Sequence, residues 1–338
     1  MAWLRSPVRL AAAALVVTAL AAAALLLTPA GEVYIVLPDR ARPVDPLIEI
    51  ADLDAEGQSR IYFVNVVVRR ATLLERWVPA IRDGADVVPA HAINPAGVSE
   101  AERRRRSLRE MSRSQRIAAA VALRELGDDV RVTRTGARVE ALMPGRPAAA
   151  KLRAGDVLLA VDGERVTTPE QLRGAIGRRR PGDSVTLRLR RGTRTLSVRV
   201  RLAENPREAG RAIIGVLVAQ EADIDLPRRV EIDSGGIGGP SAGLAFALGL
   251  LEELGRDVDQ GRRIAVTGAL DLDGNVVSVG GVKQKTIGVR EAGIDIFVVP
   301  AGENAAEARA NADGVRIIPA KSFQQTLQTL ATLPAHGG

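Results

Sequence analysis

The 338-residue chain contains no cysteine and only two histidines, His91 and His336. Disulfides, thiolate nucleophiles, iron–sulfur clusters and cysteine-containing zinc sites are therefore excluded, and Ser-His chemistry has almost nothing to draw on. Aromatic residues make up 2% of the chain, too few for base-stacking platforms, so the formal net charge of +7 is weak ground for a nucleic-acid partner. Lysine is scarce too. Of 47 basic residues only Lys151, Lys283, Lys285 and Lys321 are lysines. Under such an arginine bias a position that needs only positive charge will read Arg, and a retained lysine becomes informative. Lysine can lose its proton in a desolvated pocket, whereas arginine cannot. Two of the four lysines fall within Gly280-Gly281-Val282-Lys283-Gln284-Lys285.

The length allows roughly two domains with hydrophobic cores. Residues 10–28 form an uncharged run of 19, preceded by Arg5 and Arg9. A run of that length can span the hydrocarbon core, and basic residues on its N-terminal side orient it with residues 1–9 in the cytoplasm. The expectation is a single-pass cell-membrane protein, a transmembrane signal anchor at 10–28 with its body on the extracytoplasmic side. A cleaved signal peptide is the rival reading, since Thr28-Pro29-Ala30 could pass as a poor cleavage site.

Residues 31–126 open with strand-like stretches at 32–38 and 60–68 and close with a helical stretch at 101–127 carrying arginines at 103–106, which reads as a solvated face. This juxtamembrane region supplies a strand and a helix that need partners, so it can pack into the fold of the C-terminal part, with the block between as an insertion. From 130 to 203 the texture changes to short strands, a turn at Asp162-Gly163, a helix capped at Thr168 and a hairpin around Arg191-Gly192. On the stretch 143–166, MPGRPAAAKLRAGDVLLAVDGERV, this block resembles a bacterial PDZ domain. The resemblance implies capture of extended peptides by strand addition, with the binding edge near Thr135, Gly136 and Ala137. A spacer domain that binds nothing is the bland alternative.

From 209 to 333 strands alternate with helices, which predicts a mixed or parallel sheet. The strand at 228–233 runs into the glycine-rich loop 234–243 and then an apolar helix, placing Ser241 beside backbone N–H groups at the positive end of that helix, where developing negative charge is stabilised. Such a loop can also cradle phosphate, or be a bare turn. The spacing GxxxxGK[ST] is absent, and GxGxxG with its downstream acid does not fit. In the helix opening at 282, Val282, Lys285, Thr286 and Val289 share one face, so Lys285 points with the apolar stripe and Lys283 does not. A lysine facing the core is desolvated and can take a proton from a hydroxyl.

Gly239-Pro240-Ser241-Ala242, Val266-Thr267-Gly268 and the Gly280–Lys285 motif, in that order, resemble the proteolytic domain of the Lon family. That resemblance implies an α/β (α+β) Lon-type proteolytic domain and a Ser-Lys dyad. Ser241 would be the nucleophile, Lys285 the general base and Thr267 the partner that orients the lysine, with backbone N–H groups around Gly239, Pro240 and Ala242 holding the oxyanion. Two departures stand out: Gly238 occupies a position usually acidic, and Ala269 stands where a glutamate is usual. With the apolar run and the PDZ-like block added, the chain resembles membrane-anchored, PDZ-containing Lon-like serine proteases. The expectation is a serine-type endopeptidase, ATP-independent because no Walker A motif exists. It would act on unfolded or extended protein or peptide substrates, with no cofactor, metal or nucleic acid, and a homo-oligomer is compatible. The alternatives are a non-catalytic membrane-tethered scaffold or sensor, a self-processing protein, and a nucleotide binder.

Overall fold

The computed structural model describes residues 7–50, 59–78, 81–93, 99–143 and 145–334. The chain divides into two compact units, one of residues 1–127 and 228–338 and the other of residues 128–227. The boundary therefore differs from the expected division at 203/209. Residues 209–227 were assigned to the C-terminal α/β domain, but Val216–Asp225 pairs along its length with Arg131–Leu142 and so belongs to the smaller unit.

The larger unit is built on a five-stranded sheet in the order Arg42–Pro43, Ile61–Phe63, Ile264–Val266, Ile296–Pro300, Arg316–Ala320. All pairs are parallel except the first, so the N-terminal strand Ile61–Phe63 lies directly beside Ile264–Val266 in one sheet. Parallel strands buried on both faces read as continuous apolar runs, and Ile296–Pro300 is buried at every residue. The stretch 60–68 is not one strand: it breaks after Phe63, and Val66–Thr72 joins a second sheet with Pro29–Pro38 and Asp86–Pro89.

Two helices of this unit adjoin the glycine-rich loop 234–243. Glu100–Glu125 is N-capped by Ser99 and buries Met111, Ser114 and Ile117 through Leu123, while its arginine-rich first turns remain largely in solvent. It lies against the helix Gly243–Glu253, whose Phe246 meets Phe63 with ring centroids 5.9 Å apart. The N-terminal helix Pro7–Leu27 presents Leu15, Val17, Leu20 and Leu27 to solvent, each at least 64% exposed. Among the described residues no helix is long and apolar enough to cross a membrane; the side chains of 1–10 and 21 lie outside that description.

In the smaller unit the strand order is Arg194–Arg201, Ser184–Arg191, Val157–Val161, Arg131–Leu142, Val216–Asp225. The helix Pro169–Gly177 starts where Thr168 accepts the Gln171 N–H at 3.2 Å. Asp162 and Gly163, both at positive φ, make the tight turn between Val157–Val161 and Glu164–Arg165. Leu158, Val161, Leu187, Leu189 and Leu172 centre its core.

Candidate active site

Ser241 stands in the turn just before the helix Gly243–Glu253, half-buried, at the mouth of the glycine-rich loop. Lys285 lies one turn into the helix Val282–Glu291 and is 1% exposed; Val282, Thr286 and Val289 on the same face are fully buried. Lys283 takes another direction, donating to Asp86 Oδ1 at 2.7 Å from a partly exposed position. Burial pulls the Lys285 ammonium down from its ordinary value of 10.5 to about 7, so at neutral pH a large fraction of the amine is unprotonated.

Thr267 connects the two. Its strand ends at Val266, and the fully buried hydroxyl accepts from Lys285 Nζ at 3.1 Å and donates to the Ser241 carbonyl at 3.2 Å. The same carbonyl receives the Gly268 N–H at 2.8 Å. The amine is thereby held beside the main chain of Ser241, while the Ser241 hydroxyl makes no hydrogen bond to Lys285 among the described residues.

The loop's N–H groups are not equivalent. Gly239 was expected among the oxyanion donors, but its N–H is spent on the Ser107 carbonyl at 2.9 Å, and Pro240 has no N–H to give. Ser241 and Ala242 donate no hydrogen bond among the described residues, which leaves them as the groups able to receive developing charge at the helix start. Gly239 itself, at φ +95°, supplies the left-handed turn that brings the chain round.

Gly238, the departure from the usual acid, has a local cause. A Cβ there would overlap the Ser107 hydroxyl and stand 2.8 Å from Ser107 Cβ, because the helix Glu100–Glu125 presses on the loop. Gly238→Asp is therefore expected to lower stability by about 1–3 kcal/mol through overpacking, seen as a lower melting temperature, rather than to restore a working acid.

Of the expected peptide-binding residues Thr135, Gly136 and Ala137, Gly136 and Ala137 pair with Glu221 and Gln220 on one side of their strand and Ala137 pairs with Leu158 on the other, while Thr135 falls at an irregularity of the first ladder and outside the second. Arg194–Arg201 and Val216–Asp225 are the two edge strands of this sheet, and the outer side of Val216–Asp225 pairs with no strand among the described residues. Its place in the sheet follows from pairing with residues about 80 positions away, which no local pattern in the sequence signals. Ser107 and Ser114, which touch the catalytic loop, had no local signal either.

Residues 224–331 match the family described as the Lon protease (S16) C-terminal proteolytic domain, and residues 124–202 match the PDZ domain. Lon protease 1 of Sorangium cellulosum is 35% identical over 115 residues, which is 31% of this chain and 14% of that protein. Lon protease 2 of Bacillus subtilis is 32% identical over 111 residues, 33% of this chain and 19% of that protein. The mitochondrial Lon protease homolog of Homo sapiens is 44% identical over 64 residues, 19% of this chain and 6% of that protein. The chain thus spans less than a fifth of the length of these relatives. Among solved structures, the PDZ domain of an SdrC-like protein from Listeria monocytogenes is 25% identical, covering 26% of this chain and 92% of that one at a TM-score of 0.24. Residues 224–331 thus resemble a Lon-type proteolytic domain, and 124–202 a PDZ domain.

Proposed function

We propose that the chain is a membrane-anchored, ATP-independent serine endopeptidase in which Ser241 and Lys285 form the catalytic dyad and the PDZ domain presents unfolded or extended polypeptides. The observation that carries this reading is the buried Lys285 amine, at about 7, tied through Thr267 to the main chain of Ser241. A buried amine that sheds its proton near neutrality is a base suited to a serine hydroxyl.

In the forward reaction the neutral Lys285 amine turns from Thr267 to Ser241 Oγ and takes its proton as the oxygen attacks the scissile carbonyl. The N–H groups of Ser241 and Ala242 hold the oxyanion. Lys285 then gives the proton to the departing amine, leaving an ester on Ser241. A water enters, loses a proton to Lys285 and attacks the ester; collapse releases the carboxylic acid and returns the proton to Ser241. A shift of the amine toward the hydroxyl when substrate arrives is the kind of tightening such sites undergo.

Support for the anchor is the apolar run at 10–28 behind Arg5 and Arg9, together with the solvent-facing leucines of Pro7–Leu27. The body then lies on the extracytoplasmic side, a location that calls for cleavage without ATP. For the PDZ domain, the outer edge of Val216–Asp225 is the place where an extended segment can add as a strand.

The missing bond between the Ser241 hydroxyl and Lys285 favours the alternative, a non-catalytic membrane-tethered scaffold. One experiment separates the two. The full chain in detergent micelles is incubated with an unstructured protein and, separately, with a fluorophosphonate, alongside Ser241→Ala and Lys285→Ala. Cleavage without added nucleotide, and labelling lost in both variants, is expected. An inert, unlabelled wild-type chain would leave the scaffold standing.

A further inference from the structure

The helix Glu100–Glu125 lies outside residues 224–331, yet it hydrogen-bonds the nucleophile's loop at two places. Ser114, 4% exposed, donates from its hydroxyl to the Pro240 carbonyl at 3.0 Å. About two helical turns earlier, the Ser107 carbonyl accepts the Gly239 N–H at 2.9 Å. The fit is close on both sides of the loop: a Cβ on Gly243 would stand 2.7 Å from Ser114 Oγ, and one on Gly238 would run into Ser107.

The Pro240 carbonyl and the Ser241 N–H belong to one peptide group, planar and trans, so they point in opposite directions and rotate together. Fixing the carbonyl fixes the N–H. The next peptide group is fixed in the same way, its Ser241 carbonyl held by Thr267 and Gly268, which sets the direction of the Ala242 N–H. Without Ser114 the Pro240–Ser241 plane would lose the one side-chain hydrogen bond that holds it, and the Pro240 carbonyl would keep only the long bond from the Gly243 N–H at 3.4 Å, too weak to stop the plane rotating toward another donor.

We propose that Ser114 is a positioning residue for catalysis: its hydroxyl locks the Pro240–Ser241 peptide plane so that the Ser241 N–H faces the oxyanion. This rests on the dyad reading above, but its failure is separable from the failure of that reading. Ser114 touches neither substrate nor base. It acts on transition-state charge through a rigid plane, so its removal should spare ground-state binding.

The test uses the full chain with a fluorogenic peptide and with the matching peptide aldehyde, whose adduct on Ser241 places an oxygen where the oxyanion forms. Removing an oxyanion donor outright costs about 10²–10³ in kcat, and misdirecting one should cost about 10- to 100-fold. For Ser114→Ala we expect a kcat loss of that size, KM within about twofold, and aldehyde affinity lowered in parallel with kcat. Should Ser114→Ala not fold, Ser114→Cys, similar in size with a weak donor, carries the same expectation at smaller amplitude. A variant with wild-type kcat and aldehyde affinity overturns the proposal. A rise in KM with kcat unchanged also overturns it, since that would place Ser114 in substrate binding. If wild-type and Ser241→Ala cleave alike, the dyad reading has failed, and with it the premise.

Discussion

Lys285→Met is expected to abolish serine-dependent cleavage and at the same time to stabilise the protein. The two effects have one cause. In the unfolded chain a lysine holds its proton to about 10.5, whereas in the folded protein burial brings this down to about 7. Between those values the unfolded chain binds the extra proton, so stability rises with pH from about 7 to about 10.5. Below about 7 the folded state carries the full cost of a buried ammonium. Methionine, of similar length and uncharged, removes that cost, for a gain on the order of 2–4 kcal/mol at neutral pH, reduced by the Thr267 hydroxyl it leaves without its donor. Cleavage should fall by about 10⁴-fold or more, because no other base is on hand. Lys285→Arg should be equally inactive but destabilised, since a guanidinium cannot shed its charge. In the wild type, kcat/KM should climb roughly tenfold per pH unit up to about 7 and then level off as the amine becomes neutral. Thermal melts of the three proteins and a pH series from 5 to 9 decide the matter. A Met variant that melts lower than wild type would mean that the amine is not desolvated.

The lysine was readable because a helix repeats its faces every three to four residues, so Val282, Lys285 and Val289 are aligned by spacing alone. Buried parallel strands are readable for the same local reason, as the continuous apolar run at 296–300 shows. What escaped are features made by distant parts of the chain. The break in 60–68 is invisible locally: Ile61–Phe63 and Val66–Thr72 are both apolar and β-prone, and only their different partners separate them. The loss of Gly239 as a donor depends on the Ser107 carbonyl, 132 positions earlier, and the pairing of Gly136 depends on Glu221. The chemistry proposed for Ser241 and Lys285 is therefore written into short motifs. The surroundings that aim it are written into pairings across the fold.

Gly288→Ala shows how one such pairing overrides a local rule. In the interior of a helix, alanine is favoured over glycine by about 1 kcal/mol, so propensity alone predicts a gain. Gly288 lies three residues beyond Lys285 in Val282–Glu291, and its α-carbon faces the main chain of Asp39. A methyl group there would overlap the Asp39 carbonyl oxygen and sit 3.2 Å from the carbonyl carbon, with Val64 Cγ1 at 3.6 Å. Backbone cannot swing aside as a side-chain tip can. Asp39 directly follows Pro29–Pro38, which is hydrogen-bonded on both edges, to Val66–Thr72 and to Asp86–Pro89. The helix itself must move, and it carries Lys285 with it. We expect a loss of about 3 kcal/mol or more in chemical denaturation. Any folded fraction should show slowed fluorophosphonate labelling of Ser241, because a shift of about 1 Å takes the amine out of reach of both Thr267 and the nucleophile. A stabilised, fully active variant would show that the helix slides without cost and that its contact with Asp39 does not set the position of the base.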